Sequence, residues 1–289
     1  MRIISSGIAF MILTIFLFSI MNALAKDFTT HYSIIQIVWA RYLSQTILTT
    51  LIFLPNIRNT VKTQNIKLHL FRSLLLFGAT ISMFSGFKYL SLISTITIFQ
   101  IGPLIIVIFS VIFLKENVGY RRWLSVIIGF SGTLFILKPG TTMFAIAGFF
   151  PILAAICYAG YAVSTRSLGT DEDPKTNFFY TSLVGTMISS IILIPFFEPI
   201  LLKDLALFSI LGVIGGLGHF SFVIALRKSE ASLLAPFAYF DLIFATILGI
   251  IFFSEYPDTY VIIGASIIVS AGIYTWYREK LQKAEGRFN

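Results

Sequence analysis

The chain has 289 residues, of which 57% are hydrophobic and 12% charged, with a formal net charge of +8 and a single cysteine, Cys157. Soluble domains carry about 25% charged residues, so the composition excludes that class. One cysteine excludes an internal disulfide and every cysteine-based zinc site, and the basic residues sit in short loops and the tail, where no basic domain gathers them to hold nucleic acid.

Apolar runs of spanning length occur at 3–25, 33–54, 68–87, 91–113, 121–138, 144–165, 177–197, 205–226, 231–253 and 259–277. A membrane-crossing helix needs about 20 apolar residues, and continuous runs favour helices over the alternating strands of a barrel. The expectation is an all-α integral membrane protein of ten transmembrane helices, with membrane lipid as its surroundings. The first run follows Arg2 and contains Ala23-Leu24-Ala25, the small-x-small form of a cleavable leader. Its apolar stretch is longer than a leader's core, so it reads as a retained helix, with Asn22 near its end. The second run carries Arg41 between Trp39 and Tyr42. That arginine could snorkel to a lipid phosphate or pair with an anionic substrate group, and the peripheral position is the expectation.

In the fourth run Phe99 and Gln100 precede Gly102-Pro103, and the sixth run holds Tyr158 and Tyr161. The eighth carries His219 directly after Gly215-Gly216-Leu217-Gly218, where small residues let helices approach closely. His219 could bond a carbonyl or relay a proton. The ninth run is the most informative. Its one charged residue, Asp241, lies about 15 Å from either end at 1.5 Å of rise per residue. A carboxylate at that depth costs about 2.5–3.5 kcal/mol on insertion scales, so it needs a partner, a proton or a wet cavity. Pro236 removes a backbone donor five residues upstream. Asp241 reads either as a lock between helices or as the counter-charge of a polar site at mid-membrane. Phe84, Phe87, Phe99, Phe237, Tyr239 and Phe240 could pack, face lipid or form an aromatic cage for a cation.

Lysines and arginines set the orientation. On the side of the N-terminus fall Arg58, Lys62, Lys67, Arg72, Lys115, Arg166, Arg227, Lys228 and the tail, about 16 in all. Only about 4, Lys26, Lys88, Lys138 and Lys203, fall on the other side. Both termini are therefore expected in the cytoplasm, in keeping with an even number of spans.

The halves resemble one another at an offset of about 139 residues. IVIFSVIFLKE (106–116) aligns with ATILGIIFFSE (245–255), which sets Glu116 on Glu255, and Lys26 falls on Arg166. Gln100 aligns with Tyr239 and Gly102 with Asp241, so both halves put polar or flexible residues at one depth. Five helices per half is odd, so the second half enters the membrane from the opposite side. This predicts an inverted repeat of 3–138 and 144–277, followed by a cytoplasmic tail at 278–289. The two helix-end glutamates are expected to cap or tie loops.

Leu114-Lys115-Glu116 followed by Gly129 and Gly132, and Phe253-Ser254-Glu255 followed by Gly264 and Gly272, resemble the paired pattern of the EamA family of the drug/metabolite transporter superfamily. Gly102-Pro103 fits it as well, whereas Leu242 stands where the ninth helix would repeat that proline. The resemblance covers nearly the whole chain. It implies a secondary transporter of a small metabolite in the cell inner membrane, with a cavity lined by helices 1, 3, 4, 6, 8 and 9. For this cavity Asp241, Gln100, Tyr239, Tyr158, Tyr161, Asn22, His219 and Phe99 are the candidate substrate-binding residues. Gly102, Pro103 and Pro236 are the candidate gating residues. The implied substrate is S-adenosylmethionine, taken up in exchange for S-adenosylhomocysteine; export of amino acids or small drugs is the alternative. No cofactor or metal is expected, and a homodimer stays open. A different class of reading is a membrane-embedded enzyme or assembly protein using His219 and Asp241 as an acid–base pair. Against it, the sequence has no phosphate-binding glycine loop, no HExxH and no second intramembrane aspartate.

Overall fold

A computed structural model describes residues 2–137, 147–169 and 172–257, together with 259–260, 262–267, 270–271 and 274. The expected tail at 278–289 lies outside the described residues, as do Lys138 and Gly272. Among the described residues all regular structure is helical. Hydrocarbon offers the backbone no hydrogen-bond partner, so a chain this apolar satisfies its N–H and C=O groups within each helix.

The helices are α1 (Arg2–Phe28), α2 (Ile34–Phe53), α3 (Ile57–Thr60), α4 (Ile66–Tyr89), α5 (Leu92–Phe99), α6 (Gly102–Leu114) and α7 (Tyr120–Leu137). They continue with α8 (Phe149–Ser167), α9 (Pro174–Leu193), α10 (Leu202–Lys228), α11 (Ala231–Leu234) and α12 (Phe240–Phe253). Seven stretches among the described residues are long and apolar enough to cross a membrane, with shorter apolar helices at Trp123–Gly132 and Phe237–Phe253. The described residues between 259 and 274 are also helical. Large apolar side chains such as Leu51, Phe113, Ile191 and Phe252 remain exposed, the surface a lipid-facing bundle requires.

Two spans are broken where the sequence weakens the backbone ladder. α5 ends at Phe99 and α6 begins at Gly102-Pro103, so Gln100 and Ile101 form the break. The ninth run divides into α11, a 3-10 segment over Ala235–Tyr239 with proline in its first turn, and α12. Proline lacks the donor that would continue the preceding turn, which explains both positions.

Close packing depends on small residues. α1 runs beside α10, α4 beside α8, and α2 between α9 and α10. At Gly212 of α10 a Cβ would stand 2.8 Å from the Arg41 carbonyl oxygen of α2, so glycine lets the two backbones touch. Several hydroxyls inside the bundle are satisfied locally. Thr14 donates to the Phe10 carbonyl at 2.8 Å, Ser19 to Ile15 at 2.9 Å and Thr80 to Leu76 at 2.9 Å.

The two helix-end glutamates are built alike. α6 and α12 each end in a left-handed residue, Lys115 and Ser254, both at φ 54°. This cap folds the next N–H back: Glu116 N–H donates to the Ser110 carbonyl at 3.2 Å and Glu255 N–H to Gly249 at 3.0 Å. Glu255 then accepts from the N–H groups of Leu92 and Ile93 at 3.1 and 3.2 Å, the orphan donors at the start of α5, with Lys26 Nζ 3.4 Å away. Glu116 accepts from Ala231 N–H, at the start of α11, at 3.3 Å, with Arg166 Nε 3.8 Å away. Lys26 also donates to the Leu90 carbonyl at 3.0 Å and Arg166 to Leu226 at 2.7 Å. Both glutamates tie a loop to a helix start, as the sequence led us to expect.

Candidate substrate site

The break in the ninth span turns α12 so that Asp241, in its first turn, meets α1 in the middle of the bundle. Ser19 Oγ of α1 donates to Asp241 Oδ1 at 2.5 Å. The carboxyl group is buried and lines a cavity of about 80 Å³. Other walls come from Asn22 of α1, Arg41 of α2, Thr80 and Phe84 of α4, Phe99 of α5, Tyr158 of α8 and His219 of α10. The wall is mostly apolar, and its polar groups are few and convergent, the composition of a ligand pocket.

Five of the eight candidate binding residues meet there: Asp241, Asn22, Phe99, Tyr158 and His219. His219 is held between Phe18, at a ring distance of 4.5 Å, and the edge of Tyr161, at 5.8 Å. Its Nδ1 has no hydrogen-bond partner among the described residues. Phe99, the last residue of α5, meets Tyr158 of α8 at a ring distance of 5.5 Å.

Three candidates are elsewhere. Gln100 does not line the cavity; its amide donates to the Ala238 carbonyl at 3.3 Å, so it links the break in the fourth span to the break in the ninth. Tyr239 points the other way from Asp241, against α7. A Cβ at Gly129 would lie 2.7 Å from its ring, so that glycine leaves the space the ring fills. Residues two apart on a helical turn leave on nearly opposite sides, which accounts for this. Tyr161 lies one layer away from the cavity, stacked on Phe222 at 5.8 Å with its hydroxyl 3.2 Å from Arg72 Nη2. Of the aromatic residues considered for a cage, only Phe84 and Phe99 reach the cavity wall.

Two arginines lie elsewhere than their sequence positions suggest. Arg41, expected at the periphery, is fully buried in the cavity wall, where Gly212 and Gly215 of α10 make room for it. Arg72, counted among the loop charges, is also fully buried. Its Nε donates to Thr165, its Nη1 to the Asn177 carbonyl and Thr181, and its Nη2 to Tyr161, all at 2.8–3.2 Å. It bolts α4 to α8 and α9. A hydropathy reading finds an arginine near the end of a span and assigns it to water, and only the partner hydroxyls on other helices reveal otherwise. Thr165 near the end of α8, and Asn177 and Thr181 in the first two turns of α9, were the available signal.

Comparison with known proteins bears on the same architecture. The model of the EamA-like transporter family matches residues 5–138 and 145–277. An S-adenosylmethionine uptake transporter of Rickettsia bellii is 29% identical over 96% of this chain and 95% of its own. A pseudopaline exporter of Pseudomonas aeruginosa is 26% identical over 94% of this chain and 96% of its own. A riboflavin transporter of Vibrio cholerae is 26% identical over 93% and 92%. A protein of known crystal structure superposes with a TM-score of 0.77 at 18% identity, covering 96% of this chain and 99% of that one, a likeness of fold.

Proposed function

The chain belongs to the EamA-like transporter family, and from that premise we propose that it takes up S-adenosylmethionine in exchange for S-adenosylhomocysteine. It is a multi-pass protein of the inner membrane that transports a small molecule, and it is not an enzyme. The observation that carries the substrate reading is the buried Asp241 in the cavity wall, between the broken fourth and ninth spans. S-adenosylmethionine bears an ammonium, a sulfonium and a carboxylate, for a net charge of about +1 at neutral pH. Asp241 supplies the opposite charge, and Phe84, Phe99 and Tyr158 supply ring faces, each worth about 0.5–2 kcal/mol to a cation. The similarity to the rickettsial uptake transporters supports the same substrate.

The proposal includes ten helices in two inverted repeats, 3–138 and 144–277, with both termini in the cytoplasm. The matching clamps at Glu116 and Glu255, each with its left-handed cap, support the inverted arrangement. The cavity is too small for the substrate as it stands. About 80 Å³ accommodates several waters, at about 10–15 Å³ each, while pockets for drug-sized ligands measure about 300–1,000 Å³. Admission therefore requires the broken spans to bend at Gly102-Pro103 and at Pro236. Pro236→Ala should slow transport more than it weakens binding; equal losses would mark the proline as structural only.

The test is uptake of labelled S-adenosylmethionine by proteoliposomes, with and without S-adenosylhomocysteine inside. Faster uptake into loaded vesicles is expected, and no uptake into either would remove the substrate. Asp241→Asn should weaken S-adenosylmethionine binding more than S-adenosylhomocysteine binding, because the product lacks the sulfonium. A second reading, export of amino acids or small drugs, draws on the similarity to the pseudopaline exporter, and the same vesicles read it in the opposite direction.

A further inference from the structure

We infer that Arg41 is the anion-recognising residue of the cavity, so that the transported molecule carries a carboxylate that the guanidinium takes while Asp241 faces its cationic part. The inference rests on the transporter reading of the cavity and adds a second charged determinant to it.

The guanidinium is fully buried in the cavity wall, and its own contacts are poor. Nε points at the Met21 sulfur at 3.2 Å, a weak acceptor, and Nη1 donates to Thr80 Oγ1 at 3.1 Å. The cation lies 4.6 Å from the centre of the Tyr42 ring. Nη2 has no hydrogen-bond partner among the described residues, although water does not reach it. Nor does any carboxylate among the described residues come within ion-pair distance of Arg41. Asp241 lines the same cavity but accepts its hydrogen bond from Ser19.

A buried guanidinium without a counter-ion is costly, and proteins normally surround it with acceptors, as this one does for Arg72. The planar fork of arginine suits a carboxylate held by two parallel N–H bonds. Here Nη2 is free to make one of them, and the Nη1–Thr80 bond goes to a neutral acceptor that a carboxylate can replace. A cavity with one arginine and one aspartate, not paired with each other, is complementary to a zwitterion. An uncharged ligand would leave both charges without partners, and a simple cation would leave Arg41 so. The class this selects is an amino acid or a molecule with an amino-acid head group.

The test compares binding of S-adenosylmethionine with that of its decarboxylated analogue, which keeps the sulfonium and an amine but lacks the carboxylate. Both are measured on the purified full chain, on Arg41→Gln and on Arg41→Lys, with each variant's unligated unfolding temperature taken as the control for folding. Losing a charge-assisted bond of this kind costs about ten- to a hundredfold in affinity, so the wild type should prefer the carboxylated ligand by that factor. Arg41→Gln should lose the preference by weakening the carboxylated ligand alone, and Arg41→Lys should keep part of it. An equal fall for both ligands in a variant that unfolds at the wild-type temperature would overturn the inference and leave Arg41 a packing residue.

Failure of the substrate reading is distinguishable. If neither ligand binds the wild type, thermal stabilisation by a panel of amino acids and their amides replaces the pair. Stabilisation by the acids that Arg41→Gln abolishes supports the role of Arg41 with a different substrate. No stabilisation by any carboxylate, or tight riboflavin binding that Arg41→Gln leaves unchanged, overturns it.

Discussion

Arg41 and Arg72 are the same residue in the same kind of place, each fully buried in a helix long and apolar enough to cross the membrane. Neither has a carboxylate within ion-pair distance among the described residues. Their surroundings differ. Arg72 has an oxygen acceptor for Nε, Nη1 and Nη2, drawn from α8 and α9, and closes the bundle where those helices meet α4. Arg41, in the cavity wall, has one oxygen acceptor, a thioether and a buried, unpartnered Nη2 among the described residues. Burial by itself does not separate a structural arginine from a ligand-binding one; the count of satisfied donors does.

The largest expected effect follows from Arg72→Met. It takes the guanidinium away from the Tyr161 and Thr165 hydroxyls and from the Asn177 carbonyl, at about 1–3 kcal/mol for each group left without a partner. Thr181 keeps its bond to Asn177, which limits the loss there. A fall in unfolding temperature, or loss of folded protein in detergent, is the readout. Wild-type stability in this variant would erase the distinction between the two arginines.

Gly215→Ala comes next. Its Cβ would stand 2.7 Å from Met21 Sδ and 3.1 Å from Arg41 Nε, so Met21 must shift and the guanidinium give by a few tenths of an ångström. Overpacking of this kind costs about 1–3 kcal/mol, and ligand binding should suffer beyond the loss in stability. Binding that falls only in step with stability would place the ligand away from Arg41.

Arg41→Met should change stability little, within about 1 kcal/mol of wild type or in the stabilising direction, because it removes a buried charge that lacks a counter-ion. Paired with Arg72→Met, this is the sharpest form of the comparison: one methionine unfolds the protein and the other leaves it folded without ligand binding.

The smallest effects belong to the end clamps, where side chains are partly exposed. Glu255→Gln weakens a pairing with Lys26 and the α5 N-terminus worth about 0.3–1 kcal/mol. Glu116→Gln does the same at the Arg166 end. Each should raise accessibility of an introduced cysteine at its own end of the cavity, in a background where Cys157 is replaced. Opening at both ends from one substitution would contradict independent clamps.

Much of this molecule was legible in local sequence. Spanning length and continuous apolarity determined the helices, because a chain in hydrocarbon must satisfy its backbone within each helix. Gly102-Pro103 and Pro236 determined the breaks, because a missing N–H acts within one turn. Glu116 and Glu255 were identified as paired helix-end ties from their matched positions, since the caps that place them are also local. The tertiary structure alone decided which side of each span meets the cavity. It drew Arg41 in from the periphery, turned Arg72 inward, and set Gln100 and Tyr239 outside the wall that Asp241 joins. The reason is physical. In water a helix displays its buried face as an apolar stripe, but in a membrane lipid and core are equally apolar, so no stripe marks the inward side. What marks it is a partner on another helix, and that appears only when the helices are assembled.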